Sequence, residues 1–466
     1  MIFTSHIFIF YFLPLVLLIY YALPAKRNFF LLVASYIFYG WWDPRFVLLM
    51  FLATFVNYLC GRMITASPVG SPKRYPPLLA SVVICLSMLG FFKYFMFMQN
   101  NLNFLLKVLG SEAFSIYQVT LPIGISFYIF QSLSYTVDVY RGDSPPVRTF
   151  WDFACFVALF PQLIAGPIVR YNTVADQLVY REHNLNKFTS GAALFILGFA
   201  KKLFLANMIG QAADAAFGAE TLTTLDAWFG VIAYAFQIYF DFSGYSDMAI
   251  GLGRMFGFEF PRNFNAPYLA DSITDFWRRW HISLSTFLRD YLYIPLGGNR
   301  VGPRRTYINL TLVMLLGGLW HGASWVFVIW GAYHGLFLAF ERWRGKESVY
   351  NILPKPVRIA ITFVLVLFSW VLFRCPTLEG AVQFFKAMFG IATAEGGSIL
   401  LAGELYTQGN FLMMGLCAIL AFQPIQAFDW VKNLTWLRMG FLIVLFCFAL
   451  MTMFAQSFNP FLYYQF

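Results

Sequence analysis

An all-α, polytopic membrane fold is what this sequence predicts, and three observations predict it. Hydrophobic residues make up 60% of the 466 and charged residues only 12%, about half the charged share of a soluble domain. Apolar runs long enough to span a bilayer as helices, about 20 residues each, recur from end to end. The runs are continuous and lack the ten-residue alternation of barrel strands, so helices are left to satisfy the backbone in lipid.

In order, the long apolar segments fall at 7–24, 77–98, 119–139, 188–210, 228–250, 321–340, 357–374, 409–427 and 439–457. Shorter ones, some of them paired or re-entrant, fall at 29–42, 46–61, 150–168, 306–320 and 380–392. Roughly eleven crossings are expected. The opening "MIFTSH" carries no Lys or Arg while Lys26 and Arg27 follow the first apolar run, so this run is not a cleaved signal peptide. The positive-inside rule then places the N terminus outside, and Arg438 before the last segment places the C terminus outside too. Both ends outside require an even number of crossings, so the count of eleven is off by one or includes a re-entrant segment.

The net charge of +10 is accounted for by positive-inside loops and anionic lipid and calls for no nucleic acid. Cys60, Cys85, Cys155, Cys375, Cys417 and Cys447 are scattered singly, with no CxxC pair; all six read as buried apolar thiols rather than a disulfide framework or zinc knuckle. No internal repeat and no inverted pair of halves is evident.

The polar interval 254–305 stands out, with eight Lys or Arg against four acids. Within it, "DSITDFWRRWHISLSTFLRDY" (271–291) reads as one amphipathic helix. Ser272 and Asp275 have capping-box spacing, and His281 falls on the apolar stripe. Thirty-five residues without charge follow, Thr306–Phe340, and contain "GGLWHGASW". Ionisable groups at membrane depth are costly and are kept for a purpose. Gly317, Gly318 and Gly322 permit close approach of other helices or of a substrate and leave room around His321; its imidazole reads either as a hydrogen-bonding group between packed helices or as a general base near neutral pH.

His6 and His183 read as structural or surface groups, and His334 as a packing residue. His321 and His334 are 13 apart, which turns them to different faces of one helix. With no HxxH pair or nearby carboxylate, no metal site is expected. Asp241, Tyr245 and Asp247 in "QIYFDFSGYSDMAIGLG" read either as a helix–helix hydrogen-bond cluster or as partners for arginine or histidine. Gln131, Asp138, Gln162 and Arg170, near Pro122, Gly124, Gly166 and Pro167, suggest broken helix ends around a cavity.

"DFWRRWHISLSTFLRDYLYIPLGG" (275–298) followed by "GGLWHGASWVFVIWGAYHG" (317–335) resembles the membrane-bound O-acyltransferases. The likeness is greatest to their bacterial polysaccharide branch, typified by the alginate O-acetyltransferase membrane subunit. It extends through "SYIFYGWWDPRF", "LPIGISFYIFQSLSYTVDVYRG", "LIAGPIVRY" and "IYFDFSGYSDMAIGLG", most of the chain in order.

The resemblance implies one integral membrane domain over 1–466, with a catalytic core at about 119–340, folded as a helical ring around a central funnel. His321 matches the family's catalytic histidine. His281 matches a second position, held by His in this branch and by Asp or Asn in others; it is a catalytic candidate, and either it or a nearby amide or Trp donor would stabilise charge on the thioester oxygen. Acetyl-CoA is the implied acyl donor, a substrate rather than a resident cofactor. Trp277, Arg278, Arg279, Asn299, Trp320, Asp241 and Tyr245 are candidate substrate contacts, and Arg289, Arg300, Arg304 and Arg305 candidate phosphate contacts. "FLYYQF" (461–466) matches an ending in which Tyr463 would relay the acyl group; an aromatic interface belt is the other reading.

No SGNH-type domain is appended, so a separate extracytoplasmic SGNH-type partner is expected to acetylate the polymer. Alginate is the first expectation for that polymer, with cellulose and peptidoglycan behind it. The implied location is the bacterial inner membrane. Two rivals remain at this point: a proton-coupled transporter relaying through His321 and Asp241, and a non-catalytic scaffold of an exopolysaccharide complex.

Overall fold

The computed structural model describes residues 1–164, 166–345, 352–391 and 398–456, and among them it is helical with no strand. The first half carries α1 (Phe8–Ala22), α2 (Arg27–Gly40), α3 (Arg45–Thr65), α4 (Pro72–Val108), α5 (Ile125–Arg141), α6 (Phe150–Ala158), α7 (Phe160–Leu163) and α8 (Tyr171–Val179). Next come α9 (Leu185–Gly218), α10 (Thr224–Met255), α11 (Ile273–Arg279), α12 (Ile282–Leu288), α13 (Pro303–His321) and α14 (Trp325–Trp343). The remainder holds α15 (Lys355–Arg374), α16 (Leu378–Met388), α17 (Ile399–Leu405), α18 (Gln408–Ala421), α19 (Ala427–Trp430) and α20 (Trp436–Ala455).

Among the described residues five helices, α3, α4, α9, α15 and α20, are each long and apolar enough to cross a membrane, and α1 and α18 are shorter apolar helices. The outer face of α20 shows why such a helix belongs in lipid. Phe441, Val444, Phe448 and Met451 recur three or four residues apart and are all exposed, a stripe that water would penalise. Cys447 lies on this helix and is exposed, unlike the other five thiols. The sequence reading of six buried thiols is corrected there, because an apolar span in lipid need not bury every apolar position.

The chain divides into two compact units, residues 1–192 with 249–261, and residues 193–248 with 262–466. In the first, α3, α4 and α5 pack together around a buried polar knot. Asn57 donates to Cys85 Sγ at 3.1 Å, Ser81 donates to Asn57 Oδ1 at 2.6 Å, and Ser81 Oγ lies 3.0 Å from Thr136 Oγ1. Such bonds join membrane helices where apolar burial supplies little force between them.

In the second unit, two carboxylates of α10, Asp241 and Asp247, take lysines of α9. Asp241 pairs with Lys202 at 2.5 Å, both nearly fully buried, and Asp247 pairs with Lys201 at 2.7 Å. The expected partners were arginine or histidine; the structure supplies adjacent lysines from a π-turn at Lys201–Ala206. The α13–α14 hairpin is the tightest contact of this unit. A Cβ on Gly318 would collide with the Phe327 carbonyl, and one on Gly331 with the Met314 carbonyl.

The helix expected over 271–291 starts as predicted, with Ser272 Oγ accepting from Asp275 N at 3.0 Å. It then breaks. α11 stops at Arg279, His281 takes a left-handed conformation at φ 42°, and α12 begins at Ile282. The cause is the neighbouring segment at 263–265: Asn265 N donates to Arg279 O and Ile282 N to Asn263 O, each at 2.9 Å. Those carbonyl and amide groups are drawn out of the helical ladder.

Candidate active site

His321 is the last residue of α13, and its ring sits among three others. The ring centroids of Trp320, Trp330 and Phe373 lie 4.9, 5.1 and 5.2 Å away, all edge-to-face. Only 6% of the residue is exposed, and that part opens on a cavity of about 490 Å³ within the second unit.

Helical spacing builds the cavity walls. On α13 the lining positions are Leu310, Val313, Met314, Gly317 and His321; on α14 they are Trp330, Leu338 and Arg342. On α13, Val313 and Met314 each lie three or four residues from both Leu310 and Gly317, and His321 four beyond Gly317; on α14 the steps are eight and four, so each set keeps one face. The α13 face runs about 16 Å from Leu310 to His321 at 1.5 Å per residue. The hairpin is antiparallel, with Gly331 against Met314 and Gly335 against Thr311, so Arg342 lies at the end of α14 away from His321. α11 and α12 close the other side through Trp277, Arg278, Ser285 and Leu288, with Arg289 just after α12.

Two contacts from α14 hold α11 in place. The buried Glu341 carboxylate accepts from Ile273 N at 2.8 Å, Thr274 N at 2.9 Å and Thr274 Oγ1 at 2.6 Å. With Ser272 serving Asp275 N, the orphan amides of the first turn are satisfied from two elements. Half a turn further, Trp277 Nε1 donates to His334 Nδ1 at 3.3 Å.

Of the residues singled out from sequence, His321, Trp277, Arg278 and Arg289 line this cavity. Trp320 instead packs against the His321 ring. His281 is fully buried behind it, 6.0 Å from the Trp320 ring, with Nδ1 3.2 Å from Asn263 Oδ1. Arg279 is turned to Asp275 at 2.7 Å, and Asp241 to Lys202. Tyr245 is buried on α10, Asn299 is exposed in the turn before α13, and neither reaches the cavity. Arg300, Arg304 and Arg305 also lie off it. Tyr463 lies outside the described residues.

The two roles expected of the glycines around His321 fall to different positions. Gly317 faces the cavity, whereas Gly318 and Gly322 serve packing; a Cβ on Gly322 would run into the Phe327 ring. Sequence reasoning missed Trp330 and Arg342. The α14 stripe Trp330, His334, Leu338, Arg342 at intervals of four carried that signal.

The sequence profile of the membrane-bound O-acyltransferase family matches residues 77–376. Over its whole length the chain is 46% identical to the full length of a probable alginate O-acetylase, AlgI, of Pseudomonas putida. The corresponding Pseudomonas aeruginosa protein is 48% identical over 92% of this chain and 82% of its own length. A peptidoglycan O-acetyltransferase of Helicobacter pylori is 34% identical over all of this chain and 98% of its own.

Proposed function

Given that the chain belongs to the membrane-bound O-acyltransferase family, in the branch of the alginate O-acetylases, and is thus a membrane O-acyltransferase serving a polysaccharide, we propose that it moves acetyl groups from cytoplasmic acetyl-CoA across the membrane with His321 as general base. Alginate is the acceptor polymer that its relatives' names favour. The observation that carries the reading is the cavity with His321 at one end and Arg342 toward the other. Its roughly 16 Å α13 wall suits an extended pantetheine arm, and arginines are the side chains best matched to the phosphates that follow.

In this reading the thioester carbonyl lies beside His321. The imidazole takes the proton of an acceptor hydroxyl, and the oxygen attacks the carbonyl carbon. The tetrahedral oxyanion collapses, the C–S bond breaks, and the thiolate leaves with the proton held by the imidazolium. Trp320, Trp330 and Phe373 around the ring keep bulk water from competing as the acceptor. His281 acts from behind, fixing the Trp320 indole against His321. The acceptor side is served by a separate SGNH-type partner, with Tyr463 as a relay. Lys26 and Arg27 lie on the cytoplasmic side and both termini outside, in a ring of about eleven crossings around a funnel.

The test is His321→Ala in purified, reconstituted protein. Transfer of labelled acetyl from acetyl-CoA should fall by about 10²–10⁴-fold with the unfolding profile unchanged. Wild-type transfer by this variant would overturn the role of His321.

A further inference from the structure

A second cavity, of about 770 Å³, lies wholly in the first unit, between the α1–α2 turn, the start of α6 and the end of α8. Its floor is a hydrogen-bonded chain. Asp152 accepts from Asn28 Nδ2 at 2.6 Å and from Thr149 Oγ1 at 2.7 Å. Asn28 Oδ1 accepts from Arg181 Nη1 at 2.7 Å, and Arg181 Nε and Nη2 reach the Tyr20 hydroxyl at 3.3 and 3.1 Å. Asp152 is the one carboxylate in this lining, and Asn28 and Thr149, which donate to it, are neutral. Lys26, Arg27 and Arg181 line the same space, so three cations stand against one acid.

Three further observations point to an anion. α2 begins here with no side-chain cap and no acid in its first turn, leaving the positive end of a 14-residue helix uncompensated. The His183 imidazole, in the lining, is held below its ordinary range first by burial and then by the positive charge of Arg27 and Arg181. The Lys26 side chain is exposed and has no ion-pair partner among the described residues.

The rim says which anion. Phe29 and Trp151 meet edge-to-face at 5.4 Å and are 46% and 50% exposed, with Val179 and Tyr180 exposed beside them. An apolar, aromatic rim at the end of two apolar helices is the setting of a headgroup with its chains in the bilayer. A soluble phosphate would need no such rim.

We propose that this cavity binds the phosphodiester headgroup of an anionic phospholipid of the cytoplasmic leaflet, with Lys26, Arg27 and the α2 N-terminus facing the phosphate and Phe29 and Trp151 against the acyl chains. The leaflet follows from the positive-inside orientation of the α1–α2 turn. The binding itself is independent of acyl transfer.

The test uses the full chain, delipidated in neutral detergent and titrated with short-chain phosphatidylglycerol or phosphatidylcholine. Lipid occupancy is read by native mass spectrometry and stability by thermal unfolding. Phosphatidylglycerol should bind and raise the midpoint, phosphatidylcholine should not, and Lys26→Glu with Arg27→Gln should raise the half-saturating concentration about tenfold, near 1.4 kcal/mol. Lys26→Ala alone changes only an exposed side chain; should the double variant not fold, it must still weaken phosphatidylglycerol several-fold. Unchanged phosphatidylglycerol binding in these variants would overturn the site. Competition by millimolar glycerol phosphate or coenzyme A, with no advantage for the lipid, would overturn the lipid assignment. Neither readout depends on catalysis, so failure here leaves the acyltransferase reading standing, and the reverse holds too.

Discussion

Trp277 donates its indole hydrogen to Nδ1 of His334 at 3.3 Å. Since Nδ1 accepts, the ring proton sits on Nε2, and His334 acts here as a neutral acceptor. Trp277 lines the cavity beside His321 and His334 does not, which makes His334 a positioning residue for the cavity wall. His334→Leu should raise KM for the acyl donor about tenfold, the scale of one lost hydrogen bond, with a smaller effect on kcat. His334→Asn, which keeps an acceptor, should recover most of it. Equal loss in both variants, with kcat falling rather than KM rising, would rule the positioning role out.

Neighbouring glycines should answer substitution in opposite ways. Gly318→Ala drives a Cβ into the Phe327 backbone carbonyl, which cannot yield without opening the hairpin. A loss of 1–3 kcal/mol or more is expected, seen as a lower unfolding midpoint together with lost transfer. Gly317→Ala meets only the Leu288 Cδ1 methyl at 3.3 Å, a side-chain tip able to give. That variant should fold normally yet bind the donor more weakly, because the new methyl projects into the cavity.

Arg342 should matter for binding and little for chemistry. It lies toward the end of the cavity away from His321, where the proposed reading puts the phosphates of acetyl-CoA. Arg342→Gln should raise KM for acetyl-CoA by about 10–100-fold, the scale of charge-assisted hydrogen bonds, and leave kcat within a few-fold. Steady-state kinetics at saturating donor separate the two, and a kcat defect without a KM change would move the phosphates elsewhere.

His183 gives a pH dependence with a definite sign. Burial, then Arg27 and Arg181, lower its pKa in the folded protein, so the unfolded chain takes up the proton first as pH falls. Stability from this group is therefore present above about 6.5 and is lost progressively as pH drops toward the folded value, levelling off below it. His183→Gln should flatten that part of the stability curve. A bound anionic headgroup should flatten it as well, by restoring the pKa.

Much of this was legible because it is periodic or local. The apolar runs map closely onto helices, 46–61 inside α3 and 357–374 inside α15, and the Ser272 cap needs only its own neighbours. Glu341 could not be foreseen as the cap of α11, since it acts across 67 or 68 residues. Nor could the pairing of Asn263 and Asn265 with the backbone at 279–282, because a backbone partner has no side-chain signature. The 321–340 run reads as one apolar segment, yet α13 ends at His321 and α14 starts at Trp325. Nothing in apolar periodicity marks that turn, and it is the turn that leaves the imidazole at a helix end.

The break at His281 bears on which residues can exchange there. A left-handed φ of 42° is found several-fold more often for Asn, Asp and His than for other non-glycine residues. Those are the same three types that the resembling families place at this position. What they share is a backbone preference; in acid–base chemistry they have little in common. Replacement by Ala would remove the ring and add about 1–2 kcal/mol of backbone cost at once, whereas Asn removes the imidazole alone, so only the Asn exchange reports on the ring.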